Sequence, residues 1–167
     1  GSNLKNLIRF SKTKQSLISI DLIVSNTSKA IGLKYSQKYN IKKKIFNFKK
    51  SHSHENYILS FLKKNDIVFI CLAGFMKILS NNFIKKFDGK IINIHPSLLP
   101  KYKGLNTHER AIRNKDKYSG CTVHYVTDKL DSGKIIMQTK VRISSQDNAT
   151  SLAKKILKKE HELYPCL

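Results

Sequence analysis

Two polar side chains lie at the end of an apolar run, and their chemical types suit acyl transfer. The run covers residues 91–95 and carries Asn93 and His95 two positions apart. Alternate residues of a strand project from the same face, so the two side chains are expected to project together. The chain then enters a loop containing Pro96, Pro100 and Gly104. Ligands bind at the carboxyl ends of open parallel sheets, so we expect a site here; two hydrogen-bonded polar residues without catalytic function are the alternative.

A carboxylate and a helix start complete a possible catalytic group. Asp131 lies in a loop at residues 127–133, and Gly1-Ser2-Asn3 precedes apolar residues at helical spacing. An amide and a protonated imidazole can donate hydrogen bonds to the oxyanion of a tetrahedral intermediate. A carboxylate can favour the imidazolium and relay a proton, while a helix N-terminus can bind a phosphate. If the three sites converge, acyl transfer without a covalent intermediate is the expected chemistry.

The sequence lacks the residue patterns that several other types of catalytic or metal site require. No GxSxG motif occurs, and Ser97 lies too close to His95 in a proline-flanked loop to form a nucleophile–base pair. His52 and His54 form only a weak metal signal, so no metal site is predicted. The remaining histidines are interpreted as structural or wall residues, namely His108, His124 and His161.

The formal net charge of +21 leaves two interpretations open. Lysine contacts to phosphates would suit a nucleic-acid partner. However, the lysines are spread along the chain. Arginine, whose guanidinium can form two parallel hydrogen bonds to a phosphate, occurs only at four positions, Arg9, Arg110, Arg113 and Arg142. Abundant Lys, Asn and Ile together are typical of AT-rich coding DNA. We therefore expect a solvated basic surface without a specific nucleic-acid partner, whose potential could steer an anionic substrate.

Cysteine usage and hydropathy favour a cytoplasmic protein. The three cysteines, Cys71, Cys121 and Cys166, are far apart and form no CxxC motif, which disfavours a disulfide framework. The longest apolar run, residues 67–76, is about half the length that a membrane-spanning helix needs. No membrane partner is expected.

The alternation of patterns predicts an α/β fold in one domain, residues 1–167. β-branched runs at residues 17–25, 41–48, 66–73, 91–95, 121–126 and 135–141 predict strands. Helical spacing separates most of them, and a final helix begins at Asp147 or Thr150. A mainly parallel sheet flanked by helices is the expected architecture.

Three ordered motifs resemble one enzyme family. They are Ala73-Gly74-Phe75-Met76-Lys77-Ile78-Leu79-Ser80, the segment from Asn93 to Gly104 (NIHPSLLPKYKG), and the segment from Thr122 to Gly133 (TVHYVTDKLDSG). Their residues and order closely resemble the phosphoribosylglycinamide formyltransferases, within the folate-dependent formyltransferase family. The likeness continues through residues 160–165 and back to Gly1-Ser2-Asn3-Leu4. It implies a Rossmann-like formyltransferase fold.

The resemblance implies formyl transfer from 10-formyltetrahydrofolate, as cosubstrate, to the amine of glycinamide ribonucleotide in purine biosynthesis. It assigns catalysis to Asn93, His95 and Asp131. It implies that the ribonucleotide contacts Gly1, Ser2, Asn3, Pro96 and Glu160. It implies that the folate contacts His54, Met76, Lys77, Ile78, Leu79, Asn93, Val126, Thr127, Asp128, Lys129, Leu130 and Asp131. His54 lies where the family has an arginine, which affects the expected binding of the folate tail.

The resemblance also leads to expectations about the ends of the chain and the oligomeric state, and it leaves two alternative functions open. A strand normally precedes the Gly-Ser-Asn turn in this family, so the fold is expected to lack its first strand and its C-terminal end. The oligomer is expected to be a monomer or a homodimer. The alternatives are a formyltetrahydrofolate deformylase, or a non-catalytic basic nucleic-acid-binding protein that retains the fold.

Overall fold

A computed structural model of the protein describes residues 1–46 and 52–166. The chain forms two compact units, Gly1–Lys90 and Ile91–Leu167. In the first unit the elements are α1 (Ser2–Ser11), β1 (Leu22–Ser25), a 3-10 turn (Ile31–Leu33), α2 (Lys34–Tyr39), β2 (Lys42–Ile45), α3 (His52–Lys64), β3 (Phe69–Leu72) and α4 (Asn81–Lys86). They are followed by β4 (Lys90–His95), α5 (Thr107–Arg113), β5 (Tyr118–Tyr125), β6 (Ile135–Arg142) and α6 (Ala149–Leu163).

A parallel strand pair and an amphipathic helix organise the first unit. β1 pairs with β2 in parallel, with Leu22 opposite Lys42. Ile8, Ile23 and Leu33 form a buried cluster against which Leu4 also packs. Leu4 and Ile8 are four residues apart on α1, so they lie on the same helix face and bury it against β1.

An antiparallel three-stranded arrangement organises the second unit. β5 pairs with β4 on one side and with β6 on the other. Alternation of side chains gives the β4–β5 pair two different faces. Ile92, Ile94 and Val123 are buried on one face. The opposite face carries the polar side chains of both strands, which are Asn93, His95, Thr122 and His124.

Several element boundaries differ from the sequence predictions, those of β1, β2 and α6 among them. The first strand begins at Leu22 instead of Leu17, because the Ser16 side chain hydrogen-bonds both the carbonyl and the amide of Ile18 and so occupies backbone groups that strand pairing would need. The final helix is capped by Asn148, in a reciprocal capping box with Ser151. β2 ends at Ile45, Phe46 follows it outside the strand, and residues 47–48 of the predicted strand lie outside the described residues.

One buried hydroxyl offers a direct test of the packing of β5. Ser119 is 3% exposed, and its Oγ has no hydrogen-bond partner among the described residues. A buried hydroxyl without a partner costs about 1–3 kcal/mol. We expect Ser119→Ala to raise the free energy of unfolding by about 0.5–1 kcal/mol, measured by urea denaturation. A loss of stability would contradict the described environment of this side chain.

Candidate active site

The candidate site of the second unit begins with two cross-strand pairs. In the β4–β5 register Asn93 lies opposite His124, and His95 lies opposite Thr122. Directly opposite side chains on one face of an antiparallel pair are close neighbours. The amide nitrogen of Asn93 is 3.4 Å from Nε2 of His124. The predicted Asn93–His95 pair therefore projects from one face, as the spacing indicated, and His124 joins it.

Asp131 completes this cluster from the loop between β5 and β6. Its Oδ2 lies 3.3 Å from Nδ1 of His95, and its Oδ1 lies 3.6 Å from Nε2 of His124. Asp131 adopts a φ of +44°, a left-handed conformation that aspartate tolerates better than most residues. Two positions later, a Cβ at Gly133 would overlap the Tyr125 carbonyl oxygen, so this tight return requires glycine. The turn thus directs one carboxylate towards two imidazoles.

Both ring nitrogens of His95 face hydrogen-bond acceptors. Nε2 is 2.9 Å from the carbonyl oxygen of Tyr102, and Nδ1 faces the Asp131 carboxylate. An imidazole can donate from both nitrogens only when it is protonated. The arrangement therefore suits an imidazolium, held in one orientation within a site where the His95 side chain is 7% exposed.

His124 favours its neutral form. Burial lowers the pKa of His124, while its bond to the Tyr125 carbonyl and the Asp131 charge oppose that shift and His95 adds to it. Its Nδ1 lies 2.9 Å from the Tyr125 carbonyl oxygen, so the neutral ring carries its hydrogen on Nδ1. Nε2 is then free to accept a hydrogen bond from the amide of Asn93. This bond orients the Asn93 amide and leaves its second hydrogen for another acceptor.

The loop after His95 returns to the same cluster. The carbonyl of Tyr102 accepts from His95, and the amide of Gly104 donates to Oδ2 of Asp131 over 2.9 Å. Tyr102 and Gly104 both have positive φ values, +56° and +77°. Backbone groups of this loop therefore hold the imidazole and the carboxylate in their mutual orientation.

The half-buried His108 and the buried His124 predict that acid destabilises the fold. Burial lowers the pKa of His108 and of His124 below the ordinary value of 6.5, with His95 adding to both shifts. The unfolded chain therefore binds protons near that pH that the folded chain does not bind, and the free energy of unfolding falls as the pH decreases through 6.5. We expect the thermal midpoint to be lower at about pH 5.5 than at about pH 7.5.

A variant isolates the contribution of His124 to this pH dependence. His124→Gln removes the titrating ring, so its midpoint should change less than that of the wild type over the same pH range. Lysine contacts lower the pKa of Asp147 and Glu162, but these carboxylates titrate below 4.5 and do not affect this range. An identical pH dependence in both proteins would contradict the assignment.

The remaining predicted residues of the second unit differ in exposure. Pro96 is half-buried at the start of the loop, and Glu160 is 7% exposed on α6. The predicted folate-contacting loop is mostly exposed, with its exposed residues at Thr127, Asp128, Lys129 and Leu130, and Val126 half-buried. Thr127 closes a local turn with Lys129 through its hydroxyl. The loop therefore has a defined conformation and accessible side chains.

In the first unit the predicted binding residues occupy separate elements. α1 begins at Ser2 with Gly1 as its N-cap, without a side-chain cap and without an acidic residue in its first turn. Met76, Lys77 and Ile78 are exposed in the segment after β3, whereas Leu79 is buried. His54 lies on α3 and is half-buried.

Within the described ranges, no group of three histidine, cysteine or acidic side chains could hold a metal ion. The side chain of His52, one member of the histidine pair considered above, lies outside the described residues. Cys71, Cys121 and Cys166 form no disulfide. Burial raises the pKa of the Cys121 thiol to about 12, so it is inert at neutral pH. No helix in the described part is long and apolar enough to span a membrane.

His124 was missed as a member of the cluster by sequence reasoning. Its signal was nevertheless present, because Thr122 and His124 repeat the i, i+2 polar pattern of Asn93 and His95. Two strands that each carry polar residues on one face will combine them if the strands pair. The contacts from Tyr102 and Gly104 had no such signal, since they come from backbone atoms.

Comparison with known proteins gives consistent results. The formyl transferase family matches residues 1–167. The chain is 38% identical over 168 residues to the human trifunctional purine biosynthetic protein adenosine-3, covering 99% of this chain but 17% of that protein. It is also 38% identical to the phosphoribosylglycinamide formyltransferase of Haemophilus influenzae, covering 79% of its length. The resemblance inferred from the motifs is confirmed.

Solved structures show the same fold. The phosphoribosylglycinamide formyltransferase of Anaplasma phagocytophilum aligns with a TM-score of 0.91 at 43% identity, covering 99% of this chain and 78% of that one. The Brucella melitensis protein of the same name aligns with a TM-score of 0.92 at 41% identity, covering 99% and 87%. The predicted α/β fold, with helices flanking the strands, is confirmed.

Proposed function

Because this chain belongs to the formyl transferase family, we propose that it transfers the formyl group of 10-formyltetrahydrofolate to the amine of glycinamide ribonucleotide. The reaction belongs to purine biosynthesis. The observation that carries the proposal is the buried group in which Asp131 faces His95 while His124 orients Asn93. This group can stabilise negative charge on an oxygen and move a proton, which are the two needs of direct formyl transfer.

Asn93 and His95 would stabilise the oxyanion. Attack of the amine nitrogen on the formyl carbon makes a new C–N bond and places negative charge on the formyl oxygen. The free hydrogen of the Asn93 amide and the positive charge of His95 would then act on that oxygen. The Nε2 hydrogen of His95, accepted here by Tyr102, would be shared with the substrate oxygen, since three-centre hydrogen bonds are common.

Asp131 would support His95 and assist proton movement. The carboxylate favours the charged imidazole that it faces at 3.3 Å. When the bond between the formyl carbon and the folate nitrogen breaks, the proton lost by the attacking amine ends on that folate nitrogen. Asp131 would relay this proton through water, as the acid–base group of the site.

The binding roles follow the family motifs. Gly1, Ser2 and Asn3 would hold the ribonucleotide phosphate, and support comes from the start of α1, where the N-cap is Gly1 and has no side chain to cap the helix. Glu160 would bind the ribose hydroxyls, and Pro96 would line the same pocket. The folate would contact residues 76–79, Asn93 and residues 126–131, with His54 near its tail. Exposure of Met76 and Ile78, at 79% and 67%, supports an apolar contact there.

The same proposal treats residues 1–167 as one functional domain in the cytoplasm. The family match spans both compact units, which supports a single domain. The three cysteines form no disulfide, which supports a reducing compartment.

The test is the consumption of 10-formyltetrahydrofolate by the purified protein with and without glycinamide ribonucleotide. We expect turnover only when the ribonucleotide is present. Equal hydrolysis without an amine acceptor would identify a deformylase instead. Absence of turnover, together with nucleic-acid binding that persists at high salt, would refute the enzyme and favour a basic binding protein.

A further inference from the structure

We propose that Thr122 is a positioning residue for formyl transfer, because its hydroxyl fixes the loop that holds His95 and Asp131. The kinetic part of this inference rests on the proposed function. Thr122 lies opposite His95 on the neighbouring strand and is fully buried. It would touch no substrate and would act through the loop at residues 96–104.

The hydroxyl of Thr122 makes as many hydrogen bonds as a hydroxyl can, to two residues of the loop and to Gln138. It donates to the Ser97 carbonyl over 2.6 Å and accepts from the Leu99 amide over 3.1 Å. It also accepts from the side-chain amide of Gln138 over 2.9 Å. A hydroxyl has one donor and two acceptor sites, so no capacity remains unused. This side chain therefore holds the first part of the loop, residues 97–99, at two points, Ser97 and Leu99.

Gln138 strengthens the same attachment from β6. It lies opposite Thr122, so His95, Thr122 and Gln138 form one row across three strands. Besides its bond to Thr122, its amide donates to the Leu99 carbonyl over 2.7 Å. Both backbone polar groups of Leu99 are thereby held by side chains of the sheet.

The first part of the loop, residues 97–99, is hydrogen-bonded to its second part, residues 101–104. The hydroxyl of Ser97, which is fully buried, donates to the Lys101 carbonyl over 2.6 Å. The next residue, Tyr102, presents its carbonyl to His95, and Gly104 presents its amide to Asp131. A displacement of the loop at Ser97 or Leu99 therefore changes how the imidazole and the carboxylate are held. Displacements of about 1 Å in a catalytic site can cost on the order of 100-fold in rate.

The experiment compares Thr122→Val with Thr122→Ser. Valine keeps the shape but removes all three hydrogen bonds, whereas serine retains the hydroxyl. We expect valine to reduce kcat about 10- to 100-fold while KM for glycinamide ribonucleotide stays within about threefold. Serine should restore kcat to within about threefold of the wild type. A valine variant with wild-type kcat, or a serine variant as slow as valine, would overturn the proposal.

Ser119→Ala serves as the matched control. It removes another buried hydroxyl from the same strand, but one that contacts neither the loop nor the polar cluster through a hydrogen bond. Its kcat should equal that of the wild type. If both variants slowed the reaction equally, general disturbance of β5 would account for the effect and the positioning role would be refuted.

A spectroscopic measurement separates this inference from the proposed function. The 15N resonances of the His95 ring report the hydrogen bonds of Nδ1 and Nε2, and they require no turnover. We expect these resonances to shift in Thr122→Val and to remain at their wild-type positions in Thr122→Ser and Ser119→Ala. A wild-type protein without turnover would refute the proposed function, whereas unshifted His95 resonances in the valine variant would refute the positioning role.

Gln138→Leu provides the same test if the valine variant fails to fold. Gln138 is an exposed residue, so its replacement disturbs the core less than replacement of Thr122. Loss of its two donated bonds should lower kcat about three- to tenfold and shift the His95 ring resonances. A folded variant with wild-type kcat and unshifted resonances would overturn the proposal.

Discussion

Replacement of His95 by alanine is expected to lower turnover at least about 100-fold, because the site loses a donor and a positive charge beside the developing oxyanion. The ring faces Asp131 and Tyr102, and these contacts hold it in one orientation. Without the ring, the Asp131 carboxylate keeps its negative charge near the reacting oxygen and loses the partner that offsets it. The reaction would then be disfavoured by the remaining carboxylate as well as by the missing donor.

Kinetics and binding must be measured together for this variant. Single-turnover formyl transfer gives the chemical step, and calorimetry gives the affinity for glycinamide ribonucleotide. We expect the affinity to remain close to wild type, because the residues proposed for the phosphate lie on α1. A rate within a few-fold of wild type would refute the role of His95. A large loss of affinity would indicate that His95 mainly binds the ribonucleotide.

The sequence predicted the members of the site better than their contacts. Asn93 and His95 share a face because of their spacing, which is a local property of a strand. Their pairing with His124 and Thr122 depends on the register of β4 against β5, which links residues about thirty positions apart. Register follows from the whole hydrophobic pattern and the connecting turn, so one strand alone does not reveal it. The carbonyl of Tyr102 was also unpredictable, since every residue has one.

The accuracy of the predicted element boundaries was limited by a different physical effect, local hydrogen bonding. The β-branched and apolar residues 17–20 favour a strand by composition, but the structure begins β1 only at Leu22. The side chain of Ser16 occupies the backbone carbonyl and amide of Ile18, and Leu17 is fully exposed. Conversely, the strand predicted at residues 91–95 agrees closely with β4, because its β-branched residues Ile91, Ile92 and Ile94 are also buried. Predictions were most accurate where local propensity and burial favoured the same element.

Asp131→Asn is expected to lower turnover at least about 100-fold while leaving the fold nearly unchanged, because loss of a carboxylate that orients a catalytic imidazole costs on the order of 100- to 10,000-fold. Oδ2 of Asp131 faces both the Gly104 amide and Nδ1 of His95, so an asparagine oxygen at that position keeps the hydrogen bond from Gly104 and the attachment of the loop. The amide carries no charge, however, so the site no longer favours a protonated ring and a neutral His95 is expected. The site would retain its shape and lose the cation that stabilises the oxyanion.

This variant therefore tests the effect of the Asp131 charge separately from the effect of the shape of the site. We expect a thermal midpoint close to wild type, His95 ring resonances typical of a neutral imidazole, and a turnover lower by the stated factor. Asp88→Asn is the matched control, because it removes an exposed carboxylate of the first unit and should leave turnover unchanged. If Asp131→Asn retained a rate within a few-fold of wild type and its His95 ring were neutral, the reaction would not need the imidazolium. Oxyanion stabilisation would then depend on the Asn93 amide, oriented by His124.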